Sequence, residues 1–243
     1  MSARLYVTPI SNAAAASAGM IAHKRIPHRL VRLMPGLHPL LVRFAGFEGF
    51  TVPALELDGR KLQGSRPIAR FLDQLRPGPP LFPAEPEQRA RVEEAERWGE
   101  QVLQPVPRRL FRHLLLTSES ARHWMGTETM HLPAVRVLVV LFMPVIQRLA
   151  QISRADGPRV RQDIAELPEL LDHVDGLIAA GTIGAAEPNA ADFQILASVS
   201  VLRAFADLEH HVCGRPCEVA ARRLYPDWPP IPSGLPVSTA ARA

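Results

Sequence analysis

Two serines stand where a hydroxyl can act on a ligand. Ser11, with Asn12 beside it, precedes an alanine-rich run, and Ser65 precedes a stretch in which Ile68, Phe71, Leu72 and Leu75 recur at helical spacing. All three polar residues are good helix-capping types. A helix start presents unpaired N–H groups and a partial positive charge, so an anion such as a carboxylate is stabilised there. Cysteine offers less. Cys213 and Cys217 both lie near the C-terminal end, which supports neither a Cys-x-x-Cys exchange centre in the first part of the chain nor a disulfide framework. His210 and His211 are close by, but a Cys-x₃-Cys spacing beside paired histidines matches no zinc pattern, and no metal is expected. Trp98, Arg108, Arg109, Arg112 and His113 share one long helical stretch, in which Trp98 reads as core.

The elements that must position these residues are legible in outline. Arg4 to Thr8 is a short β-branched and aromatic run, followed by a helix reaching about Arg25 and a second strand over His28 to Leu33. A helical crossover makes these two strands parallel. Met34 to Gly49 is irregular with one short helix, and Val52 to Leu57 resumes as a strand. Asp58-Gly59 then turns a hairpin that pairs Lys61 and Leu62 with Ala54 to Leu57, and Ser65 caps the next helix. The fold class is α/β in the order β-α-β-β-β-α, with a short irregular α segment before the third strand, followed by an all-α bundle. Residues 1–76 form the α/β domain, 77–86 a proline-rich linker, 87–225 the helical domain and 226–243 a flexible proline-rich tail.

In the helical domain Val92, Ala95, Trp98 and Val102 share a face, and Pro105 and Pro107 break the helix. Further helices are expected over Leu132 to Ile152, Arg159 to Ala179 and Ala190 to Phe205, with no strand pattern after residue 80. The stretch Leu132 to Ile146 is interrupted by Arg136 and Pro144, falls short of a membrane span and reads as a buried helix. The N-terminus MSARLYVTPI lacks a signal-peptide pattern, and the expected location is cytoplasmic. The 243 residues are 47% hydrophobic and 21% charged, with a formal charge of +4, and their arginines are dispersed, which argues against nucleic acid. Residues 1–76 carry 11 Lys+Arg against 4 Asp+Glu, whereas the remainder carries 17 against 20. A positive first domain attracts small anions.

The segments LYVTPISN, VPALELDG, QGSRPIARFLD and EPNAADFQI together resemble the cytosolic glutathione S-transferase superfamily, over roughly residues 4 to 206. The resemblance implies a thioredoxin-like N-terminal domain and an all-helical C-terminal one. It implies a cis bond before Pro53 that turns the main chain of Val52 toward a bound peptide. Ser65 would hold the γ-glutamyl carboxylate, Ser11 would contact the thiol sulfur as the catalytic residue, and Asn12, Gln63 and Gly64 would join the thiol-binding set. A hydroxyl donor at a helix start favours the thiolate, the nucleophile required. The chain departs from the family pattern at Gly64, where Glu or Gln is usual, and at Asn12, where proline is usual. Asn189 and Asp192 match the family's structural capping box.

By this resemblance the chain is a transferase joining the sulfur of glutathione or a related small thiol to an electrophile. It would have no permanently bound cofactor, with the thiol as co-substrate, and would form a homodimer without nucleic-acid or membrane partners. The alternative is a non-catalytic binding or interaction protein with the same fold.

Overall fold

The computed structural model describes residues 3–131 and 135–237. β1 (Ala3–Val7) buries Leu5, Tyr6 and Val7 and lies inside a four-stranded sheet of order β2-β1-β3-β4. α1 (Asn12–His23) carries the chain to β2 (His28–Arg32), which pairs with β1 in parallel. After α2 (His38–Phe44) come β3 (Ala54–Leu57) and β4 (Arg60–Gln63), antiparallel to each other, with β3 antiparallel to β1. α3 (Ser65–Leu75) closes the α/β part.

Local chemistry sets these boundaries. Asp58 and Gly59 have φ of 46° and 86°, the left-handed pair that a tight hairpin turn requires, and Glu56 faces Lys61 across it. β3 begins at Ala54, two residues later than hydropathy suggests, because Pro53 has no N–H to give a ladder. α1 stops at His23 instead of Arg25. Arg25 adopts a φ of 52°, and the N–H groups of Arg25 and Ile26 fold back onto the carbonyls of Ala22 and Ile21.

The helices that follow are α4 (Pro86–Trp98), α5 (Pro105–Thr117), α6 (Glu119–Trp124), α7 (Val135–Ile152), α8 (Gly157–Ala179), α9 (Ala190–Ala204), α10 (Glu209–Val212) and α11 (Pro216–Leu224). A wide-turn segment, Gly99–Leu103, links α4 to α5. The buried face of this stretch differs from expectation: Val92 and Ala95 are buried, but Trp98 is half-buried and Val102 is exposed. Glu96, Gly99 and Leu103 take the inner positions, two of them residues that a hydropathy pattern passes over. The expected buried helix over Leu132 to Ile146 falls partly outside the described residues, as does the tail beyond Val237. Where its side chains are described, α7 is a surface helix packed on α5 and α6, with Leu141 67% exposed.

The chain forms two compact units, one of residues up to 104 with 176–198, the other of residues 105–175 and 199 onward. The first unit therefore extends past the proline-rich connector, which polar contacts anchor. Lys24, wholly buried, donates to Asp73 Oδ1 at 2.7 Å and to the Arg76 carbonyl at 2.7 Å. Arg76 returns a bond to the Lys24 carbonyl at 2.7 Å, and Asp73 Oδ1 accepts the N–H of Leu81 at 2.8 Å. The Leu81 carbonyl in turn accepts the N–H of Ala190. Further along α9's buried face, a Cβ on Gly99 would meet Ile195 Cγ1 at 2.7 Å, so only glycine fits there. Removing one partner of a buried ion pair leaves the other desolvated and uncompensated. Lys24→Met is expected to cost about 3 kcal/mol of stability, read from urea unfolding; an unchanged midpoint would show that the clamp contributes nothing.

Candidate functional site

Strand register brings three chain segments to one edge of the sheet. Tyr6, near the end of β1, faces Ala54, the first residue of β3, and Ala54 faces Gln63, the last residue of β4. The loop from Val7 to Ser11, the Val52–Pro53 segment and the Gly64–Ser65 helix entry thus share that edge, and the Gly64 N–H donates to the Pro53 carbonyl at 2.9 Å. The Val52–Pro53 bond is cis. The main-chain N–H and C=O of Val52 pair with no group among the described residues.

Ser11 is the N-cap of α1, its Oγ accepting the Ala14 N–H at 3.3 Å. That bond uses an oxygen lone pair and leaves the hydroxyl proton available to a ligand. Ile10, just before it, has a φ of 56°, a conformation that a β-branched residue adopts only at a cost of order 1–3 kcal/mol. No feature of the sequence announces this strain.

Asn12 does not join a ligand site. It is 4% exposed, and its amide donates to the Gln104 carbonyl at 3.1 Å and to Ser198 Oγ at 3.0 Å, so burial has committed it to packing. Gln63 is also committed: its carboxamide accepts the Gly49 N–H at 2.6 Å and donates to the Thr51 carbonyl at 3.0 Å. It acts as a brace for the loop that presents Val52.

Ser65 is not the N-cap. Gly64 takes that position with φ 87° and ψ 145°, which glycine reaches without strain, and Ser65 is the first helical residue. The Ser65 side chain is 2% exposed, and its hydroxyl has no hydrogen-bond partner among the described residues. Pro67, which has no N–H, occupies the first turn of α3, and Arg66 follows Ser65 directly. Arg66 donates to Glu96 at 3.2 Å, and Arg70 reaches the same carboxylate at 2.8 Å.

Other residues singled out by type have internal partners. Tyr6 meets Phe47 edge-on at 5.3 Å and donates to Glu56 at 3.4 Å. Asn189 Oδ1 accepts the N–H groups of Ala191 and Asp192, while Asp192 returns the bond to the Asn189 N–H at 2.9 Å and also accepts from Gly184. In the second unit Arg109 forms a two-pronged pair with buried Asp163, at 2.6 and 2.7 Å, and His113 Nδ1 meets the Ala155 carbonyl at 3.0 Å. Burial, helped by Asp175, pushes the Cys217 thiol up to about 12, so it stays protonated at neutral pH, whereas Cys213 is exposed.

A four-stranded mixed sheet with one parallel and two antiparallel pairings, a cis proline ahead of β3 and a helix beginning at Ser65 define a thioredoxin-like domain. Residues 5–80 match the family model described as the glutathione S-transferase N-terminal domain. No curated protein matches the sequence. Among solved structures, glutathione transferase F2 from Populus trichocarpa is similar at 17% identity, covering 93% of this chain and 94% of its own, with a TM-score of 0.59. FzlA from C. crescentus is similar at 19% identity, covering 99% and 98%, with a TM-score of 0.57. A glutathione S-transferase from Rhodospirillum rubrum F11 is similar at 18% identity, covering 92% and 86%, with a TM-score of 0.56. The chain therefore carries the fold of the glutathione S-transferase superfamily, a thioredoxin-like N-terminal domain followed by helices.

The acid behind Arg66 yields a pH test. Burial raises the Glu96 carboxyl above its ordinary value of 4.5, with Arg70 and Arg66 opposing that rise. The folded state then binds more protons than the unfolded state between 4.5 and the raised value, so stability falls as pH climbs through that window and levels off above it. Glu96→Gln is expected to flatten this part of the stability–pH profile, as measured by denaturant titrations at several pH values. A wild-type profile already flat there would overturn the assignment.

Proposed function

We propose that the β1–β3–β4 edge binds glutathione or a closely related thiol as an extended peptide, and that the protein is a transferase joining the sulfur to an electrophile. The observation carrying this reading is Ser65, a nearly buried residue whose hydroxyl has no partner among the described residues and lies at a helix start, beside the main chain of Val52, likewise unengaged among them. A carboxylate accepting from the Ser65 hydroxyl and the first-turn N–H groups fits there. Val52 would pair with the ligand main chain as an added strand does.

Ser11 would then donate its free proton to the sulfur. A thiol near pKa 8.5 lowered by about two units is mostly thiolate at neutral pH, each unit corresponding to about 1.4 kcal/mol. The thiol proton passes to water, the sulfur lone pair forms the S–C bond, and the electrophile's leaving group departs with its bonding electrons. A reducing compartment such as the cytoplasm keeps such a thiol available.

Two observations favour the second reading, a binding protein without turnover. Gln63 spends its carboxamide on the 49–51 loop, and Gly64 offers no side chain to a ligand amine. Calorimetry with glutathione, alongside turnover of an activated aryl halide, separates the readings. On the transferase reading, Ser65→Ala weakens binding roughly tenfold or more, the loss typical of a hydrogen bond to a charged group. Ser11→Ala lowers kcat while binding persists. Binding without turnover in the wild type supports the second reading, and no binding at millimolar glutathione rejects both.

The homodimer is part of the same proposal. Phe44 is 86% exposed and Leu40 and Phe50 each 58%, an apolar surface on α2 and the loop after it that a second copy would cover. Phe44→Glu is expected to convert the dimer to monomer in light scattering; a monomeric wild type would exclude the dimer.

A further inference from the structure

One carboxamide in the first unit is buried with both its polar atoms unmet. Gln194, on α9, is 1% exposed, and neither its Oε1 nor its Nε2 has a hydrogen-bond partner among the described residues. Ser17 and Ser200 also bury a hydroxyl without a partner, but each carries a single oxygen on a helix, where rotation of the side chain reaches a carbonyl of the preceding turn. A carboxamide is harder to satisfy, with two donors on its nitrogen and two lone pairs on its oxygen. A buried amide left unmet keeps its full desolvation penalty. Native interiors therefore meet nearly all such groups, with ordered water where protein groups do not reach.

The polar groups beside Gln194 are already spent. Ser198, four residues on and so on the same face of α9, accepts from the Asn12 amide at 3.0 Å and donates to the Gln194 main-chain carbonyl at 3.4 Å. Asn12 gives its other amide proton to the Gln104 carbonyl, and its Oδ1 accepts the Ala13 N–H at 3.0 Å. Alongside stands the wide turn Gly99–Leu103, where a Cβ on Gly99 would lie 3.3 Å from Gln194 Cγ. This turn is poor in donors. The Gln104 N–H closes on the Gly99 carbonyl, five residues back, and Pro105 and Pro107 have no N–H to give the carbonyls of Gln101 and Leu103, four residues before them.

We infer that Gln194 holds an ordered water molecule against the Gly99–Leu103 turn. Water both donates and accepts, so one molecule meets Oε1 with an O–H and Nε2 with a lone pair, while its second O–H reaches a main-chain carbonyl of the donor-poor turn. A buried water makes roughly three hydrogen bonds, the number these groups supply. Asn12, Ser198 and Ile195, the neighbouring side chains, carry no charge, which suits a neutral guest and offers nothing to offset an ion. The water joins α9 to the turn whose next residue, Gln104, anchors Asn12 beside Ser11. It stands whether or not the sheet edge binds a thiol.

The test is a high-resolution crystal structure of the 243-residue protein and of Gln194→Met, which keeps the length of the side chain and removes its hydrogen-bonding atoms. Wild type should show a water about 2.7–3.2 Å from the Gln194 carboxamide. Gln194→Met should lose that water, and its Tm should fall by about 2–4 °C, the shift expected in a chain of this size when one ordinary hydrogen-bonded contact is lost. A wild-type structure with no water there, a Gln194 carboxamide bonded directly to protein groups, a water retained in Gln194→Met, or a Tm left unchanged or raised by that substitution would overturn the site. Should Gln194→Met fail to fold, the wild-type density alone decides.

Discussion

An ammonium group with no access to water organises the first unit. Lys24 stands just past the end of α1, where its backbone N–H closes the helix onto Met20 and its side chain reaches across to the end of α3. Desolvating a lysine is so unfavourable that the charge survives only if acceptors surround it, and here Asp73 and the Arg76 carbonyl do so. The same Asp73 oxygen fixes Leu81, and Leu81 fixes the first residue of α9. A proline-rich segment that would otherwise be a free linker becomes part of a packed unit, with both helices that flank the sheet edge held at their far ends.

Fixing the far ends of α1 and α3 also fixes their near ends, where the proposed ligand edge lies. Their N-termini emerge beside β1 and β4, whose register with β3 sets them along one edge, and the Pro53 carbonyl ties the middle segment to the start of α3 through Gly64. Polar groups at this edge divide into two kinds. Asn12 and Gln63 are saturated by protein partners and hold loops in place. Ser65 and the main chain of Val52 have no such partners among the described residues. The asymmetry between saturated braces and unsaturated neighbours separates scaffold from site.

Sequence pattern reached the scaffold more readily than the site. The hairpin at Asp58-Gly59, the crossover between β1 and β2 and the helix entries at Ser11 and near Ser65 follow from turn chemistry and periodicity, which act within a few residues. What was not legible depends on distant partners. Asn12 is a plausible cap or ligand contact by type, and only the approach of Gln104 and Ser198 shows that its amide is spent. Glu96 and Gly99 look like solvent-facing residues, yet one is buried by arginines from another helix and the other by close contact with Ile195.

Gly64 shows how backbone and ligand chemistry compete for one position. A residue there must hold φ near 87° so that its N–H meets Pro53 while the chain turns into α3. For any residue with a Cβ that conformation costs about 1–3 kcal/mol, although the space around it is not crowded, since a Cβ would stand 3.5 Å from Pro67 Cδ. A side chain at this position would need a contact that offsets the strain. Glycine removes both the strain and the contact, and Gln63, one residue earlier, turns its carboxamide inward to the 49–51 loop. On the proposed reading the edge keeps Val52, Ser65 and Ser11 as its groups open to a ligand, a set suited to a carboxylate, an extended main chain and a sulfur, with neither Gln63 nor Gly64 offering a side chain to an amine. Selectivity between glutathione and thiols lacking the γ-glutamyl amine should accordingly be shallow at this edge.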